Sequence, residues 1–116
     1  MEKNSGNMRA EKGDIVSVEY VGLFTNGAIF DTNILDVAKR HNIYNPRQDY
    51  APFTFCLGDG RVIKGFENAV LGMRVGEKKK VTIPPEEGYG EKGNHPLAGK
   101  TLIFEISLVD LQKRKK

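Results

Sequence analysis

Phe53-Thr54-Phe55-Cys56-Leu57-Gly58-Asp59-Gly60-Arg61-Val62-Ile63-Lys64-Gly65-Phe66-Glu67-Asn68-Ala69-Val70-Leu71 reads as a strand, a turn and a helix in immediate succession. Phe53, Phe55 and Leu57 alternate with Thr54 and Cys56, the period of a strand with one buried face. Gly58-Asp59-Gly60 is turn chemistry. Ile63, Phe66, Val70 and Met73 then recur at spacings of three and four, which stacks them on one helical face, with Gly72 and Gly76 marking the end. Two consecutive elements therefore aim apolar faces at one centre. A small chain buries both only if a sheet wraps the one helix.

The flanking segments supply that sheet. Val16, Val18 and Tyr20 share a face, with Ser17 and Glu19 outward, as in a half-buried strand. Thr25-Asn26-Gly27 is a hairpin signal, Asn and Gly both tolerating positive φ, and Ala28-Ile29-Phe30-Asp31 returns as a second strand. Asn33 to Asp49 breaks the pattern. Ile34, Leu35, Val37, Ala38 and Ile43 fit a short helical turn with Asn33 as its N-cap, so this stretch is expected to be a partly helical bulge between strands. Lys79, Val81 and Ile83 alternate with Lys78, Lys80 and Thr82 until Pro84-Pro85 stops the strand. Glu86-Glu87-Gly88-Tyr89-Gly90 is a compact turn and Glu91 to Lys100 a loop. Leu102, Phe104, Ile106 and Leu108 make the most regular strand. The expected fold is α+β: an antiparallel five-stranded sheet curled around one short α-helix, with the bulge near 33–49. A small five-stranded barrel of the oligonucleotide-binding type competes, but no basic groove interleaved with exposed aromatics accompanies it.

The chain of 116 residues, 39% apolar and 28% charged, describes one soluble domain with a core of its own. The expected organisation is a flexible N-terminus over 1–12, the domain over 13–111 and a basic tail over 112–116. No apolar run approaches a membrane span, Met1 to Lys12 lacks the apolar segment of a signal peptide, and a single cysteine excludes an internal disulfide. A cytoplasmic, monomeric protein is the expectation. The net charge of +3 lies largely in Lys113, Arg114, Lys115 and Lys116. A solvated, frayed terminus is preferred over a nucleic-acid contact for that tail.

The usual catalytic sets are thin. His41 and His95 stand outside any zinc motif and read as surface residues. Cys56 reads as a small side chain on the outer face of its strand, with no activating motif. Glu86 and Glu87 are adjacent, so on an extended segment they point apart, and Gly58-Asp59-Gly60 is too short for a phosphate loop. What remains is a set of aromatics, Tyr20, Phe30, Phe53, Phe66, Tyr89 and Phe104, which composition alone assigns to the core.

Tyr20-Val21-Gly22, Ile29-Phe30-Asp31, Phe53 to Gly58, Val62-Ile63-Lys64-Gly65-Phe66-Glu67, Met73-Arg74-Val75-Gly76-Glu77, Ile83-Pro84-Pro85, Tyr89-Gly90 and Thr101-Leu102-Ile103-Phe104-Glu105 occur in that order. Together they resemble the FK506-binding protein (FKBP) family of peptidyl-prolyl cis-trans isomerases, from Gly13 to Leu111. The resemblance implies a sheet wrapped around one helix, in line with the reading above. It also implies a pocket at Tyr20, Phe30, Asp31, Phe53, Val62, Ile63, Phe66, Tyr89 and Phe104, with Phe66 as the floor where the family often has tryptophan. Tyr20, Phe53 and Phe104 would be walls, and Asp31 would lie at the edge. The Ile63 amide and the Tyr89 hydroxyl would bond carbonyls of a bound peptide or FK506-type macrolide. Leu97 is the candidate apolar contact of the flap. No cofactor or metal is implied, because rotation about a proline amide makes and breaks no bond. Proline-containing peptides and folding proteins are the implied partners.

The bulge at Asn33–Asp49 and the segment Gly93 to Lys100 are similar to the SlyD-type and archaeal branch, which carries an insert-in-flap chaperone domain after its Tyr-Gly pair. Here only Glu91, Lys92, Gly93 and Asn94 separate Tyr89-Gly90 from His95-Pro96, so the insert is expected to be absent. The His- and Cys-rich tail of some SlyD proteins is likewise missing. A binding or chaperone module with little turnover stays open as the alternative.

Overall fold

A computed structural model describes residues 8–114. Its strands are β1 (Ile15–Phe24), β2 (Ile29–Thr32), β3 (Phe53–Cys56), β4 (Lys78–Ile83) and β5 (Leu102–Gln112), and its helices α1 (Leu35–Arg40) and α2 (Lys64–Val70). All strand pairs are antiparallel. The sheet runs β2-β1-β5-β4, and β3 also pairs with β1. The path ends at β4 without pairing back to β2 or β3, so the sheet is open and the barrel alternative falls away.

β1 carries the sheet. One edge faces β5 along Ile15 to Phe24. The other is divided, β3 taking Ile15 to Val18 and β2 taking Val21 to Leu23. The chain leaves this edge at Thr32, runs through α1, and returns at Phe53. Asn33 stands at the point of departure and is not the N-cap that its sequence suggests; Ile34 holds that position without a side-chain bond. Buried instead, Asn33 accepts the Tyr20 N–H on Oδ1 at 2.8 Å and donates from Nδ2 to the Val18 carbonyl at 3.0 Å and the Ala51 carbonyl at 3.1 Å. Its amide thus stands in for a strand partner where β2 and β3 part. The β1–β2 connection also differs in detail. The Phe24 carbonyl accepts the Gly27 N–H, and Gly27 has φ +90° while Asn26 keeps an ordinary negative φ. The loop is a three-residue turn closed by one left-handed glycine, with Asn26 Oδ1 accepting the Ala28 N–H.

The buried face of the sheet packs Val16, Val18, Phe104, Ile106 and Leu108 against Phe66, Ala69 and Val70 of α2. The spacing that predicts a helix from Ile63 to Met73 is right about burial and wrong about length. Ile63 is the N-cap, and Leu71 leaves the helix at ψ 128°. Met73 is nonetheless fully buried, because the chain turns back under the core there. Its carbonyl accepts the Ala10 N–H at 2.9 Å, and the Ala10 carbonyl accepts the Gly72 N–H at 2.8 Å.

That contact corrects the expectation of a flexible segment over 1–12, since Ala10 is 2% exposed and belongs to the core. Residues 1–7 lie outside the described residues. The basic tail also differs from a frayed end as far as it is described. Asp14, 1% exposed, accepts the Lys113 ammonium on Oδ2 at 2.7 Å, the Arg114 N–H on Oδ1 at 2.8 Å and the Glu11 N–H at 2.9 Å. Lys113 also reaches the Arg9 carbonyl and the Glu11 carboxylate. Lys115 and Lys116 lie outside the described residues. Burial by itself raises the Asp14 carboxyl, but the bonds from Lys113, Arg114 and Glu11 outweigh it and hold it below the ordinary value of 3.8. Burial likewise lowers the Lys113 ammonium, and its bonds to Asp14 and Glu11 outweigh that and raise it above 10.5.

Asp14→Asn should cost about 1.5–3 kcal/mol near neutral pH, the range for hydrogen bonds to charged groups. The Asp14 contribution is present above 3.8 and is lost as pH falls through the lower native value. The Lys113 contribution is present below 10.5 and is lost as pH rises through the higher native value. Urea unfolding across pH should therefore show the gap between wild type and variant narrowing at both extremes. A gap independent of pH would count against an ionic clasp.

Candidate active site

A cavity of about 450 Å³ opens between the sheet and the start of α2, lined by Tyr20, Asp31, Phe53, Gly60, Arg61, Val62, Ile63, Phe66, Tyr89 and Phe104. Its size falls within the range of small-molecule and peptide sites. β1 contributes Tyr20, β2 Asp31, β3 Phe53 and β5 Phe104, while α2 contributes Phe66. Side chains distant in sequence meet there because β1 touches β2, β3 and β5 at once.

Edge-to-face rings form the interior. Phe66 meets Phe104 with centroids 5.2 Å apart at 86° and Tyr20 at 5.8 Å and 90°. Tyr20 and Phe104 lie 6.1 Å apart at 64°. Each such contact sets a positive ring edge on a negative ring face, worth about 0.5–1.5 kcal/mol beyond burial. The Tyr20 hydroxyl donates to Asp31 Oδ2 at 3.2 Å. Burial, then the Asp31 charge and the bond to it, push the Tyr20 phenol well above its ordinary value of 10.0. Burial, then the Asp31 charge, also raises the Tyr89 phenol, though that side chain is 36% exposed.

Eight of the residues expected from sequence line the cavity: Tyr20, Asp31, Phe53, Val62, Ile63, Phe66, Tyr89 and Phe104. Phe30 and Leu97 are not among its lining residues. Phe30 stands behind the wall, edge-on to Phe104 at 5.7 Å and stacked on Phe24 at 4.8 Å. Leu97 packs against the core instead. Two lining residues, Gly60 and Arg61, were legible only as a turn. That turn is tied to α2 by Glu67, whose Oε2 accepts the Gly58 N–H at 2.5 Å and the Gly60 N–H at 3.5 Å. Ile63 follows as N-cap, and the first bond of α2 runs from the Glu67 N–H to the Ile63 carbonyl, so the Ile63 N–H lies outside the helical ladder. His95, read as a surface residue, is exposed but stacks flat on the Tyr89 ring. Cys56 lies on the outer side of β3, part-buried, where its Sγ approaches the Gly13 carbonyl at 3.8 Å.

Residues 6–109 match the sequence profile of the family described as FKBP-type peptidyl-prolyl cis-trans isomerase. The chain belongs to this family. It is 54% identical over 96 residues to the "Short-type peptidyl-prolyl cis-trans isomerase" of Methanocaldococcus jannaschii, an alignment covering 83% of this chain and 57% of that protein. It is 38% identical over 109 residues to human "Peptidyl-prolyl cis-trans isomerase FKBP2", covering 92% of this chain and 68% of the relative. It is 44% identical over 108 residues to "FK506-binding protein 2" of Aspergillus fumigatus, covering 91% and 71%. The chain thus spans little more than half the length of the Methanocaldococcus protein. Among the described residues, no helix is long and apolar enough to cross a membrane.

The FKBP-type cavity depends on a close backbone approach at Gly22. A Cβ there would stand 2.8 Å from Phe30 Cζ and 2.9 Å from Phe104 Cε1. Gly22→Ala should therefore drive Phe104 toward the cavity and cost about 1–3 kcal/mol in urea unfolding, as overpacking does. The Phe104 ring resonances should shift with it. A variant of wild-type stability with unshifted rings would mean the wall yields without strain.

Proposed function

We propose that the chain accelerates rotation about X-Pro bonds in peptides and folding proteins, without a covalent step, in the aromatic cavity. The observation that carries the reading is the cavity itself: Phe66, Tyr20, Phe53 and Phe104 line it with aromatic rings, beside the polar groups of Tyr20, Asp31, Arg61 and Tyr89. The X-Pro amide resists rotation by about 18–20 kcal/mol because of its partial double bond. Planar, it carries resonance charge separation; twisted, it has lost that resonance. An apolar enclosure disfavours the planar ground state relative to the twisted transition state, which is the differential binding that catalysis requires.

In this reading the prolyl ring lies on Phe66 between Tyr20 and Phe104. The Ile63 N–H and the Tyr89 hydroxyl hold carbonyls of the flanking chain while the other side turns. Asp31, fixed by the Tyr20 hydroxyl, borders the edge. Phe30 acts through Phe104 by packing against its ring. Leu97 steadies the loop after Tyr89 from the core side. FK506-type macrolides would occupy the same cavity. The reading extends to a cytoplasmic monomer without nucleic-acid binding; the engagement of the Lys113 ammonium with Asp14 supports the last point.

We further propose that the chain is a SlyD-like or archaeal form without the insert-in-flap domain. Its support is the short connection after Tyr89, which closes on itself through the Gly99 N–H and the Gly90 carbonyl at 2.6 Å. Without an insert to capture unfolded chains, the rate gain on a proline tetrapeptide should exceed that on a proline-limited refolding protein. Equal gains on both would count against the reduced form.

The cavity is tested by the tetrapeptide assay on Phe104→Ala and Tyr89→Phe, with folding checked by circular dichroism. Loss of one hydrogen bond in Tyr89→Phe should lower kcat/KM roughly 3- to 10-fold, and loss of the Phe104 wall should lower it at least about tenfold. Because both phenols are raised, the wild-type rate should stay level on the alkaline side through the ordinary value of 10.0. If neither substitution slows turnover, the assignment of the pocket fails. Peptide binding without exchange between cis and trans signals would instead favour a binding module.

A further inference from the structure

We propose that His95 is a positioning residue for Tyr89, a role that rests on the isomerase reading of the cavity. The two rings stack with centroids 4.0 Å apart and planes 12° apart, the closest ring pair among the described residues. Tyr89 needs such a partner. Its backbone is held where the Pro85 carbonyl accepts the Gly88 and Gly90 N–H groups at 3.0 and 2.8 Å. Its side chain, however, lies outside any helix or strand, is 36% exposed, and has no hydrogen bond on its hydroxyl among the described residues. Two rotatable bonds separate that hydroxyl from the backbone, and the flat stack on His95 is a contact that restricts them.

His95 is itself held. Its Nδ1 accepts the Leu97 N–H at 3.0 Å and its carbonyl accepts the Ala98 N–H at 3.0 Å. In the first of these bonds Nδ1 is the acceptor, so the neutral ring carries its proton on Nε2. Pro96 restricts the His95 backbone to extended conformations. Leu97, packed on the core, anchors the far side. His95-Pro96-Leu97 is therefore a brace. Leu97 fixes the loop, the Leu97 amide fixes the imidazole, and the imidazole fixes the Tyr89 ring at the cavity wall. A tyrosine that is already ordered does not have to be ordered when the peptide binds. That saving applies to ground state and transition state alike, so it belongs to KM and leaves kcat alone.

The test compares wild type with His95→Ala, His95→Asn and His95→Phe, all checked for folding by thermal melts. Asn can still accept the Leu97 N–H but has no ring; Phe keeps the ring and loses the acceptor. On a proline tetrapeptide, His95→Ala and His95→Asn should raise KM about two- to tenfold with kcat within about twofold, and His95→Phe should recover most of the loss. In the ligand-free protein, the ring-current shift of the Tyr89 ring protons should vanish in Ala and Asn and persist in Phe. If wild type turns over and His95→Ala matches its KM, or if the Tyr89 shifts are the same in all four proteins, the positioning role is wrong and the isomerase reading stands. If Asn rescues and Phe does not, the residue serves the loop and not the ring. If wild type does not turn over, the isomerase reading fails and this role fails with it.

Discussion

The backbone of β1 has more bonding edge than any one partner strand covers, and the rest of the molecule follows from how that edge is satisfied. β5 pairs with one side throughout. On the other side β3 stops at Val18 and β2 begins at Val21. A buried backbone group left unpaired in the gap would cost about 1–3 kcal/mol. Asn33 supplies the missing acceptor and donors, and Thr32 adds a bond from its hydroxyl to the Tyr20 carbonyl at 2.6 Å. Because side chains bridge the gap, β2 and β3 are free to part, and the loop carrying α1 can bulge between them. Tyr20 is the residue at the gap, and it is also a wall of the cavity.

The cavity costs the fold little because its walls are the core. Phe66 and Phe104 are nearly buried, and both still line the opening. Edge-on packing lets three rings lean on one another without filling the space between them. A stacked layer behind them, Phe24 on Phe30, keeps Phe104 from retreating. The Asp14–Lys113 ion pair stands apart from the cavity. Asp14 and Lys113 close the sheet at the opposite end of β1, roughly 20 Å away at the rise of an extended strand.

Period-two and helical spacing are local, and they mark Val16, Val18, Phe55, Leu57 and the alternate residues of β5 as core along the chain itself. Met73 marks the limit of that logic. Its spacing places it on a helix face, yet it is buried by a chain reversal stitched to Ala10. Asn33 marks another limit. Asparagine before an apolar run signals a cap, and nothing local reveals that two strands leave a hole into which its amide fits. Tyr89 was legible as a site residue through the family resemblance, while the ring stacked on it was not, because His95 lies across a loop whose closure depends on Gly90 and Gly99 meeting.

The sequence by itself determined the class of fold, most of the core within the strands and α2, and the family, since alternation, turn chemistry and ordered short motifs are properties of neighbours along the chain. Tertiary structure alone decided which aromatics face the cavity and which stand behind it. It also brought Gly60 and Arg61 into the cavity lining, gave Asn33 and Asp14 their buried partners, and set the His95 ring against Tyr89. The reason is physical: a polar side chain takes its role from whichever unpaired group or open ring face it meets, and these partners come together only when the sheet has closed around α2.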